Sequence, residues 1–357
     1  MLTAHRFAHY PRVTVARSQQ LASFFSDMDA AWHANEQMLQ EAGWSVDAIK
    51  HFCAWKKTFD EEKAEQILAQ EQMQVITKNE DGYPALLKKC KDAPFALFVR
   101  GELPVGSTLA IVGSRNVSPY GKHVTTEITT ALARAGVTIV SGLALGVDGL
   151  AHQATVEVGG KTIAVLGGGI NRAHIAPGTH NALAETIIAT GGALISEYPP
   201  GTKPTAYTFP ARNRIVAGMS KGVLVTEARE GSGALITASK ATEYHRPIFA
   251  VPHPLTNENG KGTNSLLKQG ARVVTDVQDV LETLGIVPSE KITQTTPVQL
   301  SAAEEIIVNA IKSEPVHIDE LTKMLPLDGS EIASTLVMME LSGYVKDMGG
   351  KMYISCI

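Results

Sequence analysis

Cysteine is scarce in this chain. Three occur in 357 residues, Cys53, Cys90 and Cys356, and they are far apart and odd in number. That excludes a disulfide framework and a metal site built on paired cysteines, and it fits a reducing, cytoplasmic setting. Long hydrophobic runs are also lacking. No stretch of about 18 apolar residues occurs, so no membrane insertion is expected. The start, "MLTAHRFAHYPRV", has no continuous apolar segment of the secretory kind. The phosphate-binding lysine loop of P-loop ATPases is missing, and so is the GxGxxG dinucleotide fingerprint at the first strand of the centre, which reads "VGSRNVSPYG". A GxSxG nucleophile elbow is absent too. His174, His180, His245 and His253 show no metal spacing and read as structural. No catalytic residue, metal or cofactor is expected, and the chain reads as a non-enzyme.

Charge of one sign is not abundant either. The formal net charge is −4, but it is unevenly spread. Residues 100–285 hold 16 Lys and Arg against 13 Asp and Glu, a net +3, whereas residues 301–357 hold 4 against 9, a net −5. The centre is the only basic part, so a polyanion would sit there. So small an imbalance requires a focused patch rather than global attraction.

Composition divides the chain. Residues 1–75 carry apolar positions at three- to four-residue steps, with Leu39, Ala42, Val46, Ile49 and Phe52 around a glycine turn, and predict short packed helices. "TKNEDGYPALLKKCKDAPFALFVRGELP" reads as turn-rich passage into the centre. From Thr108 the texture changes to short β-rich runs, "TLAIVG", "TIVSG", "TIAVLGG", "ALISEY", "GVLVTEA" and "PIFAVP", mostly separated by helical segments. Strands alternating with helices mean βαβ units and a parallel sheet, and near-continuous apolar runs fit strands covered on both faces. The fold class is therefore α/β, a doubly wound parallel sheet, over 76–286. Residues 287–299 read as a polar linker. Residues 300–357 read as three helices and a hairpin turning at "GG", which suggests a winged helix.

Ligands of open α/β sheets bind outside the carboxyl ends of the strands. Four such ends carry small residues: Gly113 and Ser114 with Arg115; Gly142; Gly167 to Gly169, centred on Gly168; and Gly231, Ser232 and Gly233. "SPYGKHV" and "GSGALIT" each open a helix whose first N–H groups suit an anion. A single glycine loop is commonly just a tight turn; four at one sheet edge point to a ligand. Ser232 reads as a helix N-cap with a phosphate contact added. Asp148 and His152 stand one helical turn apart, and the pairing reads as a structural brace rather than an acid–base couple.

"FPARNRIVAGMSKG", residues 209–222, places Arg212, Asn213 and Arg214 behind an aromatic and a proline. Ile215, Val216 and Met219 fit one buried helix face. On a regular helix positions 212 and 214 lie about 200° apart, so both cannot point at one spot. One arginine is expected in the Pro-led entry and the other on the first turn, tracking several phosphates. Considered alone, the pair reads as surface salt-bridge partners.

"IVGSRNVSPYG", "VSGLALGVDGLAHQATVEVGGKTIAVLGGGI", "SEYPPGTKPTAYTFPARNRIVAGMS", "VTEAREGSGALITASKATEYHRPIFAVP" and "GKGTNSLLKQGA" together resemble the DNA-processing protein A family (DprA, or Smf), in the right order over about residues 75–285. The leader is similar to that family's small helical domain, of the SAM or helix-hairpin-helix kind, and residues 300–357 to its winged-helix tail. The resemblance implies an extended Rossmann-like core, a homodimer, and a single-stranded DNA-binding protein that protects incoming DNA and loads RecA recombinase during natural transformation. It carries DNA contacts onto Arg115, Phe209, Arg212, Asn213 and Arg214, onto the "GSG" loop at 231–233, and onto Lys240. Three places depart from the family pattern: Ile175 and Ala176 precede Pro177 where an aromatic is usual, His253 stands for a glycine, and the leader lacks a glycine hairpin.

Two other classes compete. A Rossmann-like nucleotide sensor or hydrolase would show a "PGGxGTxxE" loop, and "REGSGALITA" stands in its place. A duplex-reading repressor would need a basic recognition helix, yet residues 328–343 contain Asp328, Glu331 and Glu340 and no Lys or Arg. Phosphate neutralisation dominates duplex affinity, so the tail reads as a protein-docking or structural element. Its apolar Leu336, Val337, Met338, Met339 and Leu341 must in part fill its own core.

Overall fold

The computed structural model describes residues 1–287, 300–312, 314–342 and 344–355. They belong to two compact units, 1–290 and 291–357. Nearly all of the expected linker, and Cys356, lie outside the described residues.

The larger unit is built on nine strands: β1 (Met73–Thr77), β2 (Ala96–Gly101), β3 (Thr108–Val112), β4 (Thr138–Ser141), β5 (Thr162–Val165), β6 (Ala193–Ser196), β7 (Val223–Val225), β8 (Ile248–Ala250) and β9 (Arg272–Val273). They lie in the order β1-β2-β6-β5-β4-β3-β7-β8-β9. From β6 to β9 every pairing is parallel, while β1 and β2 pair antiparallel. Chain order reverses between β3 and β7, and Ala110 of β3 pairs with Thr138-led β4 on one side and Val223 of β7 on the other. That reversal opens a crevice at the carboxyl ends of the two strands.

The apolar runs of the sequence become strands buried on both faces. In β3, Leu109 and Ile111 join Ile128 and Leu132 of the helix Pro119–Arg134. Ala110 and Val112 face the other way, toward Ile215 and Val216 of the helix Thr208–Gly218 and Ala234 and Ala238 of the helix Gly233–Glu243. The doubly wound α/β architecture expected from the alternation is thus present.

The first two strands were not anticipated. "MQVIT" is short, and "ALFVRG" follows a loop rich in turn residues. Their antiparallel register, Met73 opposite Arg100, is a non-local pairing that composition does not encode. They extend the sheet toward the leader. Residue 75, the expected boundary, lies inside β1. Ala8 packs with Met73, Val75 and Phe98, and the leader has its own aromatic core of Phe7, Tyr10, Trp32 and Phe52.

The C-terminal unit contains the helices Ala302–Ile311, Ile318–Met324 and Gly329–Leu341 and the strands β10 (Val316–His317), β11 (Val345–Asp347) and β12 (Met352–Ser355). Gly349 and Gly350 make the hairpin turn at φ of 96° and 66°, a backbone region open chiefly to glycine. Ile307, Leu321, Ile332, Leu336 and Met339 form the core, while Val337 and Met338 are exposed. Because this unit has its own core, Leu336→Ala should destabilise it by ~2–5 kcal/mol, the usual range for a buried leucine. Calorimetry should show that loss in the C-terminal transition, with the transition of residues 1–287 unmoved.

Candidate nucleic-acid interface

The crevice between β3 and β7 holds a cavity of about 440 Å³. Its floor is set by Arg212, which is only 4% exposed. The helix Thr208–Gly218 already includes both arginines, so the expected division between an entry segment and a first turn does not occur. Arg212 Nη1 donates to the carbonyls of Gly142 (2.6 Å), just past β4, and of Val165 at the end of β5. Its Nε donates to Asn213 Oδ1 (3.1 Å), and Asn213 Nδ2 donates to the carbonyl of Gly233 (3.1 Å). A Cβ at position 142 would stand 2.3 Å from the guanidinium, so glycine is required there for the arginine to enter.

Asp148 lines the same cavity and accepts from the N–H of Gly142 (3.1 Å). Burial raises its carboxyl above the usual range, opposed by the Arg212 charge. Burial likewise pulls the Arg212 guanidinium down, and Asp148 opposes that. The brace reading expected His152 to bond to Asp148, and it does not. Its Nδ1 meets Thr162 Oγ1 at 2.7 Å, and burial pushes its pKa down to about 3.

Only one of the two anticipated helix N-termini is open. Glu227, fully buried at the end of β7, accepts from the N–H of Ser118 (2.9 Å) and from the Ser118 hydroxyl. This carboxylate occupies the N-terminus of the helix Pro119–Arg134, where negative charge is stabilised. The helix Gly233–Glu243 begins instead at the cavity wall, with Gly231, Ser232 and Gly233 lining it. Ser232 is its N-cap, accepting from the N–H of Ala234 (3.3 Å).

Arg115 and Arg229 supply the exposed cations. Both line the cavity, and among the described residues neither forms an ion pair. The Arg115 guanidinium lies 5.4 Å from the centroid of the Phe209 ring. Gly113, Ser114, Arg115, Phe209, Arg212, Asn213, Gly231, Ser232 and Gly233 are thus brought together.

The remaining expected contacts are placed elsewhere. Arg214 points away from the cavity and pairs with Glu197, a contact in which both side chains are largely buried. The 200° separation along the helix is the reason. Lys240 is engaged by Asp92 (3.3 Å) and Glu243 (3.1 Å). Gly142 sits behind Arg212 rather than in the wall, and Gly168 lies under the loop of Thr202 and Pro204. Sequence reasoning missed Arg229, Asn116 and Asn259 as lining residues. Arg229 was accessible to it, since it follows β7 as Arg115 follows β3. His253, the departure from the glycine pattern, is buried and its Nε2 meets the carbonyl of Thr226 at 2.9 Å.

Comparison with known proteins assigns the chain to a family. The family model for DNA recombination-mediator protein A matches residues 74–285, and that for the DprA winged helix domain matches residues 292–351. The chain belongs to the DNA recombination-mediator protein A family. It is 37% identical to protein Smf of Escherichia coli over 89% of this chain and 87% of that one. It is 41% identical to the DNA processing protein DprA of Bacillus subtilis over 60% and 71%. Among solved structures, DprA of Streptococcus pneumoniae matches with a TM-score of 0.66 at 31% identity, covering 79% of this chain and 98% of that chain. DNA processing protein A of Helicobacter pylori, described for its single-stranded DNA binding mode, matches with a TM-score of 0.53 at 32% identity over 60% and 95%.

In this member of the DprA family, the two arginine classes should separate by experiment. Arg212→Ala leaves the carbonyls of Gly142 and Val165 without the guanidinium in the interior and removes the positive charge that faces Asp148, and should cost ~3–5 kcal/mol of stability. Arg115→Ala loses only an exposed cation–π contact, worth less than about 1 kcal/mol. Urea unfolding of the two variants checks the contrast.

Proposed function

We propose that the chain binds single-stranded DNA in the β3–β7 crevice, protects it, and hands it to RecA recombinase as a recombination mediator, in the uptake of DNA by transformation. The observation that supports this reading most is the juxtaposition of unpaired Arg115 and Arg229 with the half-buried Phe209 ring and an open helix N-terminus. Single-strand binders combine a cationic groove with aromatic platforms. The Helicobacter relative, with its single-stranded DNA binding mode, supports the same ligand.

The reading includes no chemistry performed by the protein itself. Two serine hydroxyls of the cavity are engaged structurally: Ser114 Oγ donates to the carbonyl of Asn116 (2.8 Å), and Ser232 caps its helix. No histidine lines the cavity among the described residues. A second reading, binding of a free nucleotide, draws support from the cavity volume, which falls in the range of small-molecule pockets. The proposed assembly is a homodimer through the region of β9, an edge strand whose Val273 is half exposed. Light scattering at micromolar concentration should give twice the chain mass; a monomer with and without DNA would remove this part of the reading.

Anisotropy titration with labelled oligo-dT, its duplex and competing nucleotides over a salt series tests the ligand. For single strands the slope of log K against log[salt] is about −0.7 per neutralised phosphate. Arg115→Ala and Arg229→Ala should each weaken binding and flatten the slope by about 0.7. Arg214→Ala should leave the slope in place, because its charge is spent on Glu197. Wild-type affinity and slope in both of the first two variants, or displacement of the strand by a mononucleotide, would remove the single-strand reading.

The acidic tail makes a separate prediction. A duplex-reading winged helix needs cationic contacts to phosphate, and the helix Gly329–Leu341 has none. Deleting residues 288–357 should leave oligo-dT affinity nearly unchanged, as the same titration would show. Micromolar duplex binding by the isolated tail would contradict it.

A further inference from the structure

A second cavity, about 400 Å³, lies where the helical leader meets the loop after β6. His9, Trp55, Phe59, Asp60 and Lys63 of the leader line it, together with Pro200 of that loop. Trp55 and Phe59 lie 4.8 Å apart at 31° and are both half-buried, so part of each ring surface stays open. His9 is only 8% exposed, yet its Nε2 has no hydrogen-bond partner. Burial holds this ring neutral, with its pKa down to about 4. A neutral imidazole offers one donor and one acceptor. Lys63 is exposed and among the described residues is in no ion pair; Asp60 accepts from its backbone N–H (3.0 Å).

The segment 200–207 connects this cavity to the crevice. Pro200 lines the leader cavity, and Ala206 lines the crevice. Six residues span at most about 20 Å even when fully extended. The intervening surface carries exposed Lys203 and Tyr207, the latter 88% exposed.

We propose that a single strand leaving the crevice crosses the loop 200–207 and places one base in the cavity of His9, Trp55 and Phe59, with Lys63 serving a flanking phosphate. This inference rests on the single-strand reading above. A flat, π-faced occupant suits two aromatic rings and an unpartnered imidazole buried beside them. The cation on the rim suits a ligand with an anionic backbone. Base stacking is sequence-tolerant because every base has a π-face.

Tryptophan fluorescence of the full chain tests the proposal. Trp32 and Trp44 are buried in the leader core, and Trp55 is the tryptophan at the cavity. Oligo-dT should quench the emission, and Trp55→Phe should abolish the change while retaining the fold by circular dichroism. A base-free strand of equal length should give no Trp55 signal. Trp55→Ala and Lys63→Glu should each weaken oligo-dT binding about fivefold or more. A strand carrying photoreactive iodouracil should cross-link to the helix Val46–Thr58. If oligo-dT binds with its Arg115 dependence intact, but Trp55 emission, the cross-link and the two variants are all unaffected, the second site is wrong and the crevice reading stands. If no strand binds at all, both fall.

Discussion

The candidate site depends on one buried guanidinium. Arg212 reaches from the helix Thr208–Gly218 to the carbonyls that end β4 and β5. It is a cross-link between a surface helix and the carboxyl edge of the sheet. A buried arginine would be costly alone, so its neighbours are constrained. Position 142 has no room for a side chain. Asp148, on the helix Val147–Glu157, opposes the effect of burial on the guanidinium. Asn213 extends the chain of bonds to Gly233, at the start of the next helix. Phe209 is therefore held over the crevice by a residue that hardly meets solvent.

This arrangement divides the basic residues by task. The two arginines of the 212–214 run serve the interior: Arg212 fixes the sheet edge, and Arg214, with Glu197, fixes the opposite face of the same helix. Cations that face solvent come from loops after strands, Arg115 after β3 and Arg229 after β7. The net charge of the centre is small, so attraction depends on focusing these few charges in one crevice. Glu227 contributes by what it excludes. By filling the N-terminus of the helix Pro119–Arg134 it leaves the helix Gly233–Glu243 as the end facing the crevice.

Much of the architecture was legible because its signals are local. Apolar runs such as "TLAIV" and the glycines after them mark parallel strands and their carboxyl ends, and three helices with a "GG" hairpin mark the winged helix. β1 and β2 were not legible, since their existence rests on a register between residues 19 to 27 positions apart. The site was half legible. Helical geometry separated Arg212 from Arg214 but did not say which side each would face. Burial decides that, and the apolar face of Ile215 and Val216 leaves Arg212 no route except under the crevice. Lys240 was misplaced for a related reason. A lysine seven residues past an anion-binding turn looks available, yet Asp92 from a distant loop claims it.

The same bonds bear on selectivity. Reading a base requires side-chain amides or guanidiniums aimed at base edges. In the crevice the buried ones are already engaged, while Arg115, Arg229 and the Asn116 side chain are exposed. The Asn213 amide is held on one side by Arg212 and on the other by Gly233. Asn259 Nδ2 donates to the carbonyl of Asn116 (3.4 Å). Arg212 is sealed against backbone carbonyls. Among the described residues, what remains open there is the Phe209 ring face, Arg115 and Arg229, the Asn116 side chain and backbone N–H groups. Apart from the Asn116 amide, these recognise charge and π-surface, which all nucleotides share. A strand held in this crevice would accordingly meet few fixed polar groups able to discriminate among bases, because the rigidity that positions Phe209 engages Arg212 and Asn213.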